Sequence, residues 1–206
     1  MSELPTPTGL YGSDSASFHV ATLLALLRAG EQSAARAFNR IAHRLSPGER
    51  KLASPQLIAF ILDQQRHNHE LAAYCVTLPH IVIRDATTRR FFRGLESRES
   101  TVHLARVAAL DACVCQVLTG VLARATQQQL GKSLMDLLSQ IRADGVRHVH
   151  ATRDLARIFG ASTSLLRVVN TEVCHQFIPL LDARAQAFAA LGIDYRDLLT
   201  CVRRAC

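Results

Sequence analysis

Turn-forming residues are scarce in this chain of 206 residues: it has ten glycines and six prolines, too few for a many-turned all-β protein. Charged residues make up 20% and aromatics 5%, against 49% hydrophobic. That balance excludes a disordered or collagen-like chain. No stretch approaches the roughly 20 uncharged apolar residues of a membrane span; the longest, Phe18 to Leu27, closes at Arg28. Residues 1–12 carry no basic residue ahead of an apolar run, so no secretory signal is expected. The cysteines, Cys75, Cys113, Cys115, Cys174, Cys201 and Cys206, contain no CxxC pair, which removes zinc-ribbon and thioredoxin-type motifs. Chain length excludes a small disulfide-stapled scaffold. The expectation is six unpaired thiols, mostly small buried apolar groups, in a cytoplasmic protein that is not a membrane protein.

What is present is mainly Ala and Leu, which favour helix. The formal net charge is +7, with a sequence pI near 9.5. Such a balance suits an acidic partner: a tRNA, an acidic carrier protein or an anionic reductase. The densest patch, Arg84 to Arg98, reads as a solvated loop and helix start.

Apolar positions recur at helical spacing along most of the chain. Residues 1–13 form an irregular lead-in, and a first helix follows from Asp14 or Ser15 to Leu45. Ser46-Pro47-Gly48 reads as a break, Ser54-Pro55 as the cap and first turn of a second helix, and Pro79 as its end. His80 to Arg84 is the weakest helical stretch. A third helix spans about 97–125, a turn falls at Gln127 to Gln129, and a fourth helix spans about 130–159 with Gly160 after it. Residues 163–190 read as one helix with a kink or restart at Pro179, before a short last helix capped by Asp194. Four helices of about thirty residues would build a bundle about 40–45 Å long.

Each apolar stripe is interrupted about midway. Glu31 fills the gap in the first helix, Gln64 and His67 in the second, Asp111 in the third, and Gly145 and His148 in the fourth, with Thr152 one turn on. Unpaired buried carboxylates are costly. Polar residues at one level on four helices therefore imply either a salt-bridged network of Glu31, Asp111, His67 and His148 or a metal site. The chain also repeats: Asp63-Gln-Gln-Arg66-His67-Asn-His69 matches Asp144-Gly-Val-Arg147-His148-Val-His150 at an offset of 81 residues, and Glu31 and Asp111 lie 80 apart. Each half is thus a helix pair with an inward acid followed by D-x-x-R-H.

This doubled motif resembles the ferritin-like superfamily, in its di-iron carboxylate oxidase and oxygenase branch, over about residues 15–160. The resemblance implies an all-α, up-down four-helix ferritin-like bundle over residues 14–160, with one or two extra C-terminal helices over residues 161–206. Carried onto this chain, it makes Glu31, His67, Asp111 and His148 metal ligands. Asp63 and Asp144 become acids that orient the opposite histidines crosswise, and Arg66 and Arg147 pair near those acids. The two bridging glutamates of the family are Gln64 and Gly145 here. With two carboxylates left to offset charge, the expectation is one ion of iron, manganese or zinc, with Glu70 as a substitute ligand if a second ion binds. His69 and His150, about 200° round the helix from the ligand position, face outward. Two functions follow: a metal-dependent oxidase or oxygenase with a mononuclear two-His, two-carboxylate site acting on a small or carrier-bound substrate, or a degenerate member with a salt-bridged core that binds or scaffolds. A homodimer is compatible with either.

Overall fold

The computed structural model describes residues 14–78, 86–124 and 130–205. The expected lead-in, the segment His80 to Arg84 and the turn at Gln127 to Gln129 lie outside them. Every regular element among the described residues is an α-helix: α1 (Asp14–Arg44), α2 (Pro47–Val76), α3 (Ala86–Gly94), α4 (Ser100–Arg124), α5 (Lys132–Ile158), α6 (Thr163–Asp182), α7 (Ala185–Ala190) and α8 (Tyr195–Arg204).

The helix ends follow local chemistry. Ser46 caps α2 in a capping box: its hydroxyl accepts from the Glu49 backbone N–H, and the Glu49 carboxylate accepts from the Ser46 N–H at 2.8 Å. Pro47 stands at the first helical position, where a missing N–H is harmless. The second helix thus begins eight residues before the expected start, and Pro55 lies inside it. The Ser46-Pro47-Gly48 break is itself the entry of α2. Gly160 (φ +95°) and Gly192 (φ +69°) close α5 and α7 in the left-handed conformation. In each, the N–H one residue past the glycine reaches back to the carbonyl five residues earlier, Ala161 to Ala156 at 2.8 Å and Ile193 to Phe188 at 3.0 Å. A β-carbon would be strained at either position.

The four long helices pack in a cycle: α1 on α2, α2 on α5, α5 on α4, and α4 on α1. Cross-links give their directions. Arg44, ending α1, donates to the Ser97 carbonyl just before α4, and Thr101, opening α4, donates to the Phe159 carbonyl at the end of α5. Neighbours in the cycle are therefore antiparallel, while α2 and α4 run the same way. A strict up-down order would reverse α4 relative to α2. The link between them, residues 77–99 with α3 inside it, is long enough to cross from one end to the other.

Three C-terminal helices follow rather than one or two: α6 and α8 pack on α4, and α7 on α1. Pro179 sits inside α6, and the chain breaks instead at Ala183 and Arg184. α4 is thereby enclosed. By length and apolarity it could cross a membrane, yet 61% of that stretch is buried within the protein.

The core has two apolar clusters. One holds Leu24, Leu71, Leu110, Leu134 and Phe177, together with the C-terminal helices; the other holds Phe38, Ile41, Leu57, Phe60, Leu104 and Leu155. Along α1, α2 and α5 the residues that pass between the two clusters are Glu31, Gln64, His67, Asp144 and His148, all buried.

Candidate functional site

The polar layer is a network rather than a set of isolated groups. Helix phase turns Asp63 and His67 of α2 toward Asp144 and His148 of α5, one turn apart on each helix. His67 Nε2 donates to Asp144 Oδ2 at 3.0 Å and His148 Nε2 to Asp63 Oδ2 at 3.1 Å. This is the crosswise pairing that the resemblance implies. Arg66 bridges the two acids, at 2.8 Å from Asp144 Oδ2 and 3.4 Å from Asp63 Oδ1, and Arg147 bridges them again, at 3.1 Å from Asp63 and 2.5 Å from Asp144. Gln140 Nε2 adds a further donor to Asp144 at 3.0 Å. Burial alone would raise the Asp144 pKa, but donors from Gln140, Arg147, His67 and Arg66 hold it far below the ordinary value. Asp63 is held down the same way, its burial outweighed by His148 and Arg147.

The two histidines differ on their other nitrogen. His67 Nδ1 meets Glu31 Oε2 at 2.9 Å. Burial depresses the His67 pKa, the Glu31 hydrogen bond and charge outweigh it, and the net shift is upward. An acid on each ring nitrogen favours the imidazolium form of His67, while burial raises the pKa of its partner Glu31. His148 Nδ1 instead lies 3.3 Å from the Gln64 amide nitrogen, and its ring packs on Phe60 with centroids 4.6 Å apart. Burial lowers the His148 pKa despite Asp63. The ring is neutral, donating to Asp63 through Nε2 and accepting from Gln64 through Nδ1.

Asp111 is fully enclosed on α4. Burial first, and the Glu31 charge second, push its pKa well above the ordinary aspartate value, which favours the neutral acid. Its Oδ2 has no hydrogen-bond partner, and neither has Gln64 Oε1. Glu31, Gln64, His67 and Asp111 border a small polar pocket of about 10 Å³, together with Cys115 and Gly145. His148 does not border it. Glu31, Gln64, Asp111, Val114 and Leu118 also line a neighbouring apolar cavity of about 80 Å³, walled by Leu24, Leu110, Leu134, Phe177 and Leu181 among others.

Of the four ligands the resemblance implies, the structure brings together Glu31, His67 and Asp111 and leaves His148 in the neighbouring aromatic cluster. The His148 nitrogen that would face a metal is engaged by the Gln64 amide. No group of three or more His, Cys, Asp or Glu side chains among the described residues is arranged to hold a metal ion. In this arrangement the two-His, two-carboxylate set is not drawn together around one point. Nor does the space left by the second bridging acid stand open: a β-carbon on Gly145 would lie 2.9 Å from Cys115 Sγ. Glu70 lies 3.9 Å from Arg66 with its side chain 40% exposed, and it borders neither pocket. His69 and His150 are exposed, as expected.

Sequence reasoning missed Cys115, Gln140, Phe60 and the apolar cavity. Cys115 was legible only as a small residue, since its partner across the core is a glycine. Cys174 is disulfide-bonded, so the expectation of six free thiols fails there, and with it part of the argument for a reducing compartment. Cys75, Cys113, Cys115 and Cys201 are free, and burial pushes the Cys113 and Cys115 thiols up to about 12, which leaves them unreactive. No family model, no curated protein and no solved structure matches the chain.

Proposed function

We propose that this chain is a degenerate ferritin-like four-helix bundle, with an ionic hydrogen-bond network where a metal centre would stand, and that it acts as a binding protein for a small apolar molecule. One long crossover between the second and third long helices is the connectivity of ferritin-like bundles, and the doubled D-x-x-R-H motif in its crosswise pairing supports the same assignment. The observation that carries the function is the apolar cavity at the inner end of which the polar layer begins. Empty apolar cavities stay dry and take up nonpolar guests; one of about 150 Å³ holds benzene. This cavity is about half that size, which suits a narrow guest.

Xenon is the probe that tests it. Titration with xenon should shift the methyl resonances of Leu24, Leu110 and Leu134, and Leu134→Phe, which fills the cavity, should abolish those shifts while the protein still unfolds cooperatively. Unchanged methyl resonances in the parent protein would refute the binding reading. Metal analysis of protein from iron-supplemented cells addresses the oxidase that the resemblance implies: a stoichiometric iron, manganese or zinc ion would overturn the degenerate assignment.

A further inference from the structure

The polar end of the cavity has acceptors without donors. Gln64 Oε1 and Asp111 Oδ2 are unpartnered, on side chains 4% and 8% exposed. Both residues line the apolar cavity and the small polar pocket beside it, and so does Glu31, of which one oxygen, Oε2, is committed to His67. Three oxygen-bearing side chains thus converge from α1, α2 and α4 on the border of an otherwise apolar space. Of the basic groups of the layer, the two arginines do not meet this border, and His67 borders the polar pocket but not the apolar cavity. Arg66 and Arg147 are spent on Asp63 and Asp144 at the α2–α5 seam, and His67 donates to Glu31 and Asp144.

Buried acceptors left without donors are rare in folded proteins and costly, because each has lost its hydrogen bonds to water. The polar pocket, about 10 Å³, is at the lower limit for a single water-sized group. A hydroxyl brings one donor. A carboxylate brings none and would add negative charge beside Glu31. A primary ammonium brings three donors and no acceptor, has the size of a water molecule, and carries a charge opposite to that of the Glu31 carboxylate. Its alkyl chain would lie along the Leu and Val walls.

We propose that the cavity is a site for a small alkylamine, held with its ammonium among Gln64, Asp111 and Glu31 and its chain in the apolar cavity. This rests on the binding-protein reading above and names the ligand class for it. No charge on the protein needs to move to meet the head group, since the three side chains already border the space.

The test compares n-propylamine, n-propanol and propionate, equal in chain length and short enough for the cavity, by isothermal titration and by backbone amide shifts at fixed pH and salt. The amine should bind about tenfold more tightly than the alcohol, the scale of one charge-assisted hydrogen bond, and propionate should not bind. Gln64→Leu and, separately, Asp111→Leu should each narrow the gap between amine and alcohol while xenon still enters. Propionate binding as tightly as the amine, or an amine preference unchanged in both variants, overturns the proposal. The two readings fail separately: if xenon does not enter, the binding reading falls and this one with it, whereas xenon entry without any head-group preference refutes the amine site alone.

Discussion

Replacing Asp144 by Asn is the sharpest test of the ionic layer. The carboxylate is 7% exposed on its side chain and accepts from four groups: His67, Arg66, Arg147 and Gln140. Asn keeps the volume and removes the charge. Arg66 and Arg147 are 42% and 53% exposed, so water screens much of their loss, and exposed pairs are worth at most about 1 kcal/mol. His67, 1% exposed, has no such relief and is left as a buried cation with one acid instead of two. Breaking a buried pair from one side costs about 3–5 kcal/mol, and the solvated arginines place this case near the lower end, about 3 kcal/mol. Asp63→Asn should cost less, about 1 kcal/mol, because its carboxylate is 20% exposed and its histidine is neutral, so the Nε2–H can donate to the new amide oxygen with no buried charge left unpaired. Urea unfolding measures both, through the midpoint at constant slope. The acid limb supplies a second reading. Asp144 has a depressed pKa in the folded state, so its contribution is complete above the unfolded value near 3.9 and is lost as pH falls toward the folded value. The parent and Asp144→Asn curves should therefore converge below about pH 4. Equal costs for the two substitutions, or a larger cost for Asp63→Asn, would refute the claim that one histidine is charged and the other neutral.

Asp111 behaves in the opposite sense. Its folded pKa is raised, so stability falls as pH rises above the unfolded value near 3.9 toward the folded one; Asp111→Asn should remove that decline and leave the variant relatively more stable at pH 8 than at pH 5, as melting temperatures across pH would show. Gly145→Ala should destabilise by about 1–3 kcal/mol despite the better helix propensity of Ala, because the new β-carbon meets Cys115 Sγ at 2.9 Å, and Cys115→Ala in the same chain should recover most of the loss in urea titrations. The same contact means that Gln64→Glu with Gly145→Glu restores metal binding only when Cys115 is also made smaller, which elemental analysis of the double and triple variants checks. Ser46→Ala removes the α2 capping box and should cost about 1 kcal/mol, read from the thermal midpoint.

Much of the layer could be read from the chain because helical periodicity is strict. Glu31, Gln64, His67, Asp111 and His148 all fall in gaps of apolar stripes, and all are buried. The repeat of residue types at fixed spacing paired Asp63 with Asp144 and His67 with His148, and the resemblance, not the spacing, implied the crosswise bonds. What the spacing could not convey is distance across the core. His148 lies on the right face at the right level, yet Gln64 and Phe60 engage its ring, and neither contact leaves a periodic trace. Helix direction was equally hidden. Nothing in the stripe of α4 distinguishes parallel from antiparallel to α2, because a stripe reads the same from either end. The start of α2 was missed for a local reason: two Ser-Pro pairs lie eight residues apart, and only the first has a glutamate placed to close the box.

The seam between α2 and α5 obeys the rule of a twofold interface within a single chain. Residue for residue, Asp63 does to His148 what Asp144 does to His67, and each arginine spans both acids. Contacts of this reciprocal kind are the signature of identical subunits related by a dyad. A half-length hairpin carrying one acid and one D-x-x-R-H would be self-complementary, able to make the same bonds with a second copy of itself. Within a single chain the two halves need not match. One imidazole could then keep a proton beside Glu31 while its twin, facing an amide, gave its proton up, a division of charge that an obligate pair of identical chains could not encode in sequence.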